Sequence, residues 1–150
     1  MRHYLDETKK QFLGKTIQSL RRLEEDAALV EFSDGTQLRI TVEGDCCSHS
    51  IFYEIVFPEN LIGAILEDVV EREWDEDSSL SKTTADSEAV ALEKVKAAGF
   101  NFYPEENNVW NVVLKTNRGL ALLRHINSSN GYYDGHTNYE VIRQPHAPSA

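Results

Sequence analysis

The most regular alternation in the chain runs through ALVEFSDGTQLRITV, residues 28–42. Val30 and Phe32 fall on one face before Asp34-Gly35, and Leu38, Ile40 and Val42 share a face after it. Side chains two apart on a strand point the same way, and Asp-Gly accepts the positive φ values of a type I′ hairpin turn. The pattern predicts strands over 27–33 and 36–43. A second hairpin is expected in VWNVVLKTNRGLALLRHIN. There Trp110, Val112 and Leu114 share a face, as do Leu120, Leu122 and Ile126, and Asn117-Arg118-Gly119 supplies a short loop with glycine in the left-handed region. IFYEIVF and HTNYEVI read as two further strands. GKTIQSLRRLEED places Ile17, Leu20 and Leu23 three apart, which fits a helix, but its β-branched start, its short length and the hairpin that follows favour a strand.

Helical punctuation is sparser. Pro58 opens PENLIGAIL as a single helical turn closed by Gly63, with a strand over 64–73 behind it. SEAVALEKVKAAGF reads as a short helix capped by Ser87, striped by Ala91, Val95 and Ala98 and ended by Gly99, with a strand as the alternative. Residues 1–14 form a short helix or an arm, 75–87 a polar loop, FNFYPEENN another loop, and 144–150 a flexible tail. The resulting fold class is α+β: a mainly antiparallel β-sheet built from hairpins, with one or two short helices. A single β-rich domain is expected over 1–143.

Composition narrows the function classes. The chain has 150 residues and a formal net charge of −10. That charge argues against general nucleic-acid binding, which needs a basic surface, and suits a basic protein partner. The acids are concentrated: nine lie between Glu67 and Glu88, opposed by Arg72 and Lys82 alone. The bland reading is a solvated strand end and loop; the sharper one is a surface imitating the phosphate charge of DNA, with Trp74 as its anchor. No apolar run is long enough to span a membrane, and the charged start lacks the apolar core of a signal peptide, so a cytoplasmic protein is expected. Cys46 and Cys47 are adjacent, which makes a mutual disulfide strained, and both are read as free thiols.

Two stretches carry unusual chemistry, GDCCSHS at 44–50 and SSNGYYDGH at 128–136. Neighbouring side chains on an extended segment diverge, so Cys46 and Cys47 cannot both hold one metal ion, and no metal or other cofactor is expected. Asp45 is read as a turn cap, one thiol as a small buried hydrophobe and the other as half-exposed. Asn130-Gly131 is a strong hairpin signal; of Tyr132 and Tyr133, one would fill the core and the other lie outside, where its ring could stack on a base or nucleotide with Arg124 or Arg118 nearby for phosphate. A catalytic arrangement can also be written, with Cys46 or Ser48 as nucleophile, His125 or His136 as base and Asp134 or Asp45 as orienter. No known catalytic or nucleotide-binding motif accompanies these residue types.

With these stretches in view, the chain resembles a family of short, uncharacterised proteins from bacteria and their phages. The likeness rests on Gly14-Lys15-Thr16-Ile17, Asp45-Cys46-Cys47-Ser48, Leu61-Ile62-Gly63 and Ser129-Asn130-Gly131-Tyr132-Tyr133, and covers roughly 12–74 and 109–142. It implies a small β-rich domain, with 75–108 as an insertion holding the acidic loop and the short helix, and it carries over no reaction. The leading expectation is a non-enzymatic binding module. It would meet a protein or small ligand at the edge or end of the sheet, through Tyr132, Tyr133, Asp134 and His136, with Arg124 and Trp74 as further candidates. An acidic inhibitor of a basic host defence protein is its narrower form. A small hydrolase or nucleotide-processing enzyme with a Cys/His site, and a structural or assembly protein, are the competing classes. The oligomeric state is left open.

Overall fold

A computed structural model describes residues 7–44, 49–73, 88–99, 106–129 and 135–143. They form eight strands: β1 (Ile17–Glu24), β2 (Ala27–Phe32), β3 (Thr36–Gly44), β4 (His49–Val56), β5 (Leu66–Glu73), β6 (Glu106–Thr116), β7 (Gly119–Ser129) and β8 (Gly135–Arg143). One helix, α1 (Glu88–Ala97), lies between β5 and β6, a 3-10 turn covers Glu59–Leu61, and a short helical turn at 7–9 precedes β1. Every pairing is antiparallel, in two four-stranded sheets ordered β1-β2-β3-β8 and β4-β7-β6-β5. No helix among the described residues is long and apolar enough to cross a membrane.

The local turns form as their residues demand, with one correction. Among the described residues only glycines have positive φ, so Asp34 cannot enter the type I′ turn expected of it. Instead Gly35, at φ 90°, closes a three-residue loop by donating its N–H to the Phe32 carbonyl at 3.0 Å. The Asp34 carboxylate accepts from the Thr36 N–H at 3.0 Å and hydroxyl at 2.6 Å, which leaves Asp34 on the turn in a conformation any residue adopts. A second correction falls at 106–108, expected as loop: these residues extend β6 because Asn107 and Asn108 pair with Ser128 and Asn127 of β7. Pairing has overridden the low strand preference of asparagine. In α1, Ala91 and Val95 are buried as the stripe predicts, but the helix ends at Ala97 and Ala98 is exposed in the closing turn. The expected loop at 75–87 and the tail at 144–150 lie outside the described residues.

The sheets pack crosswise. β1 touches β5 where both begin, through the Thr16–Ile65 bridge and the Ile17 N–H to Ala64 carbonyl bond at 2.8 Å. Just beyond its end, the Glu25 carbonyl takes the Phe52 N–H of β4 at 2.8 Å. One strand of the first sheet therefore runs from one edge of the second sheet to the other, the arrangement of an orthogonal sandwich, in which strands change sheet at corners. The space between the sheets holds the larger apolar core, including Phe12, Ile17, Phe32, Leu38, Ile40, Phe52, Leu66, Leu114 and Leu123. The outer face of the second sheet is apolar too, where Ile51, Tyr53, Val109 and Ile126 are covered by Ala91 and Val95 of α1. The outer face of the first sheet is polar, with Ser19, Arg21 and Gln37 all donating to Glu31. Those bonds, chiefly from Ser19 and Arg21, hold the Glu31 carboxyl below its ordinary pKa.

Candidate functional site

The strand order brings the flanks of the two unusual stretches to one corner. β3 ends and β8 begins at the paired residues Gly44 and Gly135, and β4 begins beside the end of β7 where His49 pairs with Ser128. The β3–β4 and β7–β8 connections thus both pass from one sheet to the other between the same two pairs of strands. Asp45, Cys46, Cys47 and Ser48 belong to the first connection and Tyr132, Tyr133 and Asp134 to the second; all seven, like Trp74 beyond β5, lie outside the described residues.

The remaining candidates separate. His136 is exposed on β8, with Nε2 at 3.3 Å from Glu43 on the neighbouring strand. Arg124 is on the helix-covered face of the second sheet, where its Nε lies 2.7 Å from Glu54 Oε1 and Lys94 of α1 reaches the same oxygen at 2.9 Å. Glu54 therefore ties the helix to the sheet through Lys94 and links β4 to β7 through Arg124, which is engaged in that pair. Arg118 is at the opposite end of β7 from Ser129, about 36 Å away at roughly 3.3 Å per residue. There its guanidinium donates to the carbonyls of Asn60 at 3.4 Å and Ile62 at 3.1 Å.

His125 is fully enclosed between the sheets. It sits in a row with Phe52 of β4 and Trp110 of β6, the three being register partners, with ring centroids 6.0 Å and 3.8 Å from the imidazole. Burial pushes its pKa well below the ordinary value, so the ring is neutral, with one N–H and one bare nitrogen. A base in this position cannot reach the proton of a substrate outside the sandwich. Among the described residues neither imidazole nitrogen has a hydrogen-bond partner, and neither does Trp110 Nε1 or Thr137 Oγ1. An unsatisfied buried polar group costs about 1–3 kcal/mol, so these atoms are expensive where they stand. One row nearer the corner, Ser50 Oγ donates to Asn127 Oδ1 at 2.6 Å and the pair is buried. On the inner face of β8, Tyr139 is buried with its pKa raised by desolvation and then by Glu71 of β5. The half of the core beneath the corner thus holds polar atoms without a partner among the described residues, whereas the half around Phe12 and Leu66 is mainly apolar and the hydroxyl of its buried Thr116 donates to the Gly119 carbonyl at 2.8 Å.

Ser50, Trp110, Asn127, Thr137 and Tyr139 were not among the residues singled out by sequence. Their signal was polar side chains at inward positions: His125 and Asn127 continue the inward series Ala121, Leu123 along β7. Among the described residues, no group of three or more His, Cys, Asp or Glu side chains is placed to hold a metal ion.

A family model matches residues 10–138 as a domain of unknown function, DUF7448. The chain belongs to this family. Comparison with curated proteins found no match, and comparison with solved structures found none either. The family has no assigned function, so the functional reading rests on the geometry of the chain itself.

Proposed function

We propose that this protein is a non-enzymatic binding module that recognises an extended segment of a basic partner protein by adding it as a strand alongside β8. One observation carries this reading: β8 ends its sheet as a regular strand free of bulges. Its nine residues keep an unbroken register with β3, contain no proline or lysine, and are flanked by no second strand among the described residues. The other strands that end a sheet are irregular. β1 has two register shifts, and β4 and β5 have one each. β4 also has its Phe52 N–H taken by Glu25. A regular, unpaired ladder supplies main-chain hydrogen bonds to any extended segment of compatible side chains. The net charge of −10 selects a basic one and steers it from a distance. In sequence Tyr132, Tyr133 and Asp134 directly precede β8, and His136 lies on it, so the motif and the edge are continuous. In its narrower form the partner is a host defence protein, the chain being of bacterial or phage origin and acting as an inhibitor inside the cell.

The test is a titration of the protein with the alternating basic peptide (Lys-Val)4, followed by backbone amide NMR. The amides of Gly135–Arg143 should shift and become protected from exchange, with affinity falling at least tenfold between low and physiological salt. Ile142→Lys, which places a charge on the outer face of the edge, should abolish those shifts with a change in stability within about 0.5 kcal/mol. Shifts confined to other strands, or binding indifferent to salt and to Ile142→Lys, would sink the proposal.

A further inference from the structure

We infer that the inter-sheet space beside His125 and Trp110 holds a small neutral ligand that both donates and accepts hydrogen bonds. The inference is independent of the β8 edge and stands on the unpaired polar atoms of the core. His125 is wholly buried, Trp110 is 8% exposed, and their rings are 3.8 Å apart with planes at 70°. The imidazole brings one N–H and one bare nitrogen, and the indole brings one N–H; none has a partner among the described residues. Thr137 adds a hydroxyl from the inner face of β8 that is also without one.

Folded proteins pair such groups, and where side chains do not, bound molecules do. The occupant must be neutral, because an ion enclosed here would lack a counter-charge and its desolvation would be uncompensated. It must be small, because the rings of Phe52 and Trp110 both crowd the imidazole, at centroid distances of 6.0 Å and 3.8 Å. It must accept from the indole and from the imidazole N–H, and donate to the bare imidazole nitrogen. Water meets these terms, and so does a small organic molecule carrying a hydroxyl or an amide. The satisfied Ser50–Asn127 pair one row away shows that the same inter-sheet face completes its polar bonds where side chains can reach.

The experiment uses the purified full chain. Magnetisation transfer from water to the Trp110 indole N–H and the His125 imidazole N–H is measured by NMR, with Trp110→Phe and His125→Phe assigning the two signals. In parallel, protein denatured in organic solvent is analysed for a released small molecule at one equivalent. Strong transfer from a long-lived water supports the inference with water as the occupant. A stoichiometric released compound, with contacts from its protons to both rings, supports it with an organic ligand. Trp110→Phe keeps an aromatic ring on β6 but removes the indole donor, and should weaken the contact seen at His125 at least twofold. If both ring protons of the wild-type protein lack any contact to a foreign proton and nothing is released, the inference is overturned.

Discussion

Two corners of this sandwich join the same pair of sheets by opposite means. At the first, β1 meets β5. The Gly14 N–H donates to the Leu66 carbonyl at 2.8 Å, the Leu66 N–H to the Lys15 carbonyl at 3.0 Å, and the Gly63 N–H to the Ile17 carbonyl at 2.7 Å. The Asn117 side chain accepts from the Ile65 N–H at 2.9 Å, and Arg118 clamps the turn before it. Behind this lattice lies an apolar wall in which Phe12 stacks on Phe32 at 6.4 Å. Two of the four sequence motifs, Gly14–Ile17 and Leu61–Gly63, are accounted for here by backbone geometry. At the second corner the chain crosses between sheets twice, the other two motifs form the crossings, and the core beneath contains His125, Asn127, Ser50 and Trp110. The contrast teaches that motif residues in one small domain can have different physical origins. Those at the first corner close the fold, while those at the second connect the strands that carry Ser50, His125 and Asn127.

The comparison breaks most visibly where the first corner is hollowed. Phe12→Ala removes a fully buried ring from an apolar wall that cannot rearrange to fill it, and should cost about 3–5 kcal/mol in urea unfolding. A cost below about 1 kcal/mol would mean that the helical turn holding Phe12 does not seal this end of the core.

The first corner also depends on Gly63, at φ 90°. A Cβ there enters a backbone region disfavoured by about 1–2 kcal/mol and meets Arg118 Nη1 at 3.4 Å. Gly63→Ala should lose about that much stability, and less in an Arg118→Ala background, since the two changes share a contact. Strict additivity in the double-mutant cycle would show that the guanidinium yields freely and that the backbone carries the whole effect.

Much of the first corner was legible in the sequence, and the second was not, for reasons visible in individual residues. Pro58, Gly63 and Gly35 announce turns because backbone sterics act locally, and the alternation around Leu38 and Ile40 survives because the first sheet has one wet face. β7 defeats the same reasoning. Leu122 and Ile126 are buried under one face while Leu123 and His125 are buried under the other. A strand covered on both sides has no two-residue period to read, so the face shared by Leu120, Leu122 and Ile126 does not distinguish the inter-sheet side from the helix-covered one. The β3–β8 and β4–β7 pairings join residues far apart in sequence, and no turn residue announces them. The double crossing, and the location of the polar core beneath it, follow only from those pairings.

The second corner should reveal itself by acid. His125 is neutral when folded and binds a proton readily when unfolded, so between its ordinary pKa of about 6.5 and its depressed folded value the unfolded chain takes up more protons. Its contribution to stability is complete above about pH 6.5 and is lost as the pH falls, by up to about 1.4 kcal/mol per pH unit. His125→Phe should remove that slope while staying within about 1 kcal/mol of the wild type at pH 7.5, because an apolar ring of similar shape needs no hydrogen-bond partner. Urea midpoints measured from pH 7.5 to 5 provide the check, and a slope that persists in the variant would place the acid sensitivity elsewhere.

The first corner has a smaller and later acid response, which makes the two separable in one titration. Asp34 accepts from Lys15 and from both donors of Thr36, and these bonds hold its pKa well below the ordinary carboxylate value. A carboxyl depressed in the folded state contributes stability that is complete above its unfolded pKa of about 3.9 and is lost only as the pH falls through the folded one. The side chain is nearly half exposed, so solvent screens the pair and its net worth is about 0.5–1 kcal/mol. Asp34→Asn should therefore lower stability by that amount at pH 7, leave the slope between pH 6.5 and 5 as in the wild type, and flatten the decline below pH 4. If Asp34→Asn instead altered the higher window, the two corners would be electrostatically coupled, and treating one as closure and the other as a separate polar compartment would fail.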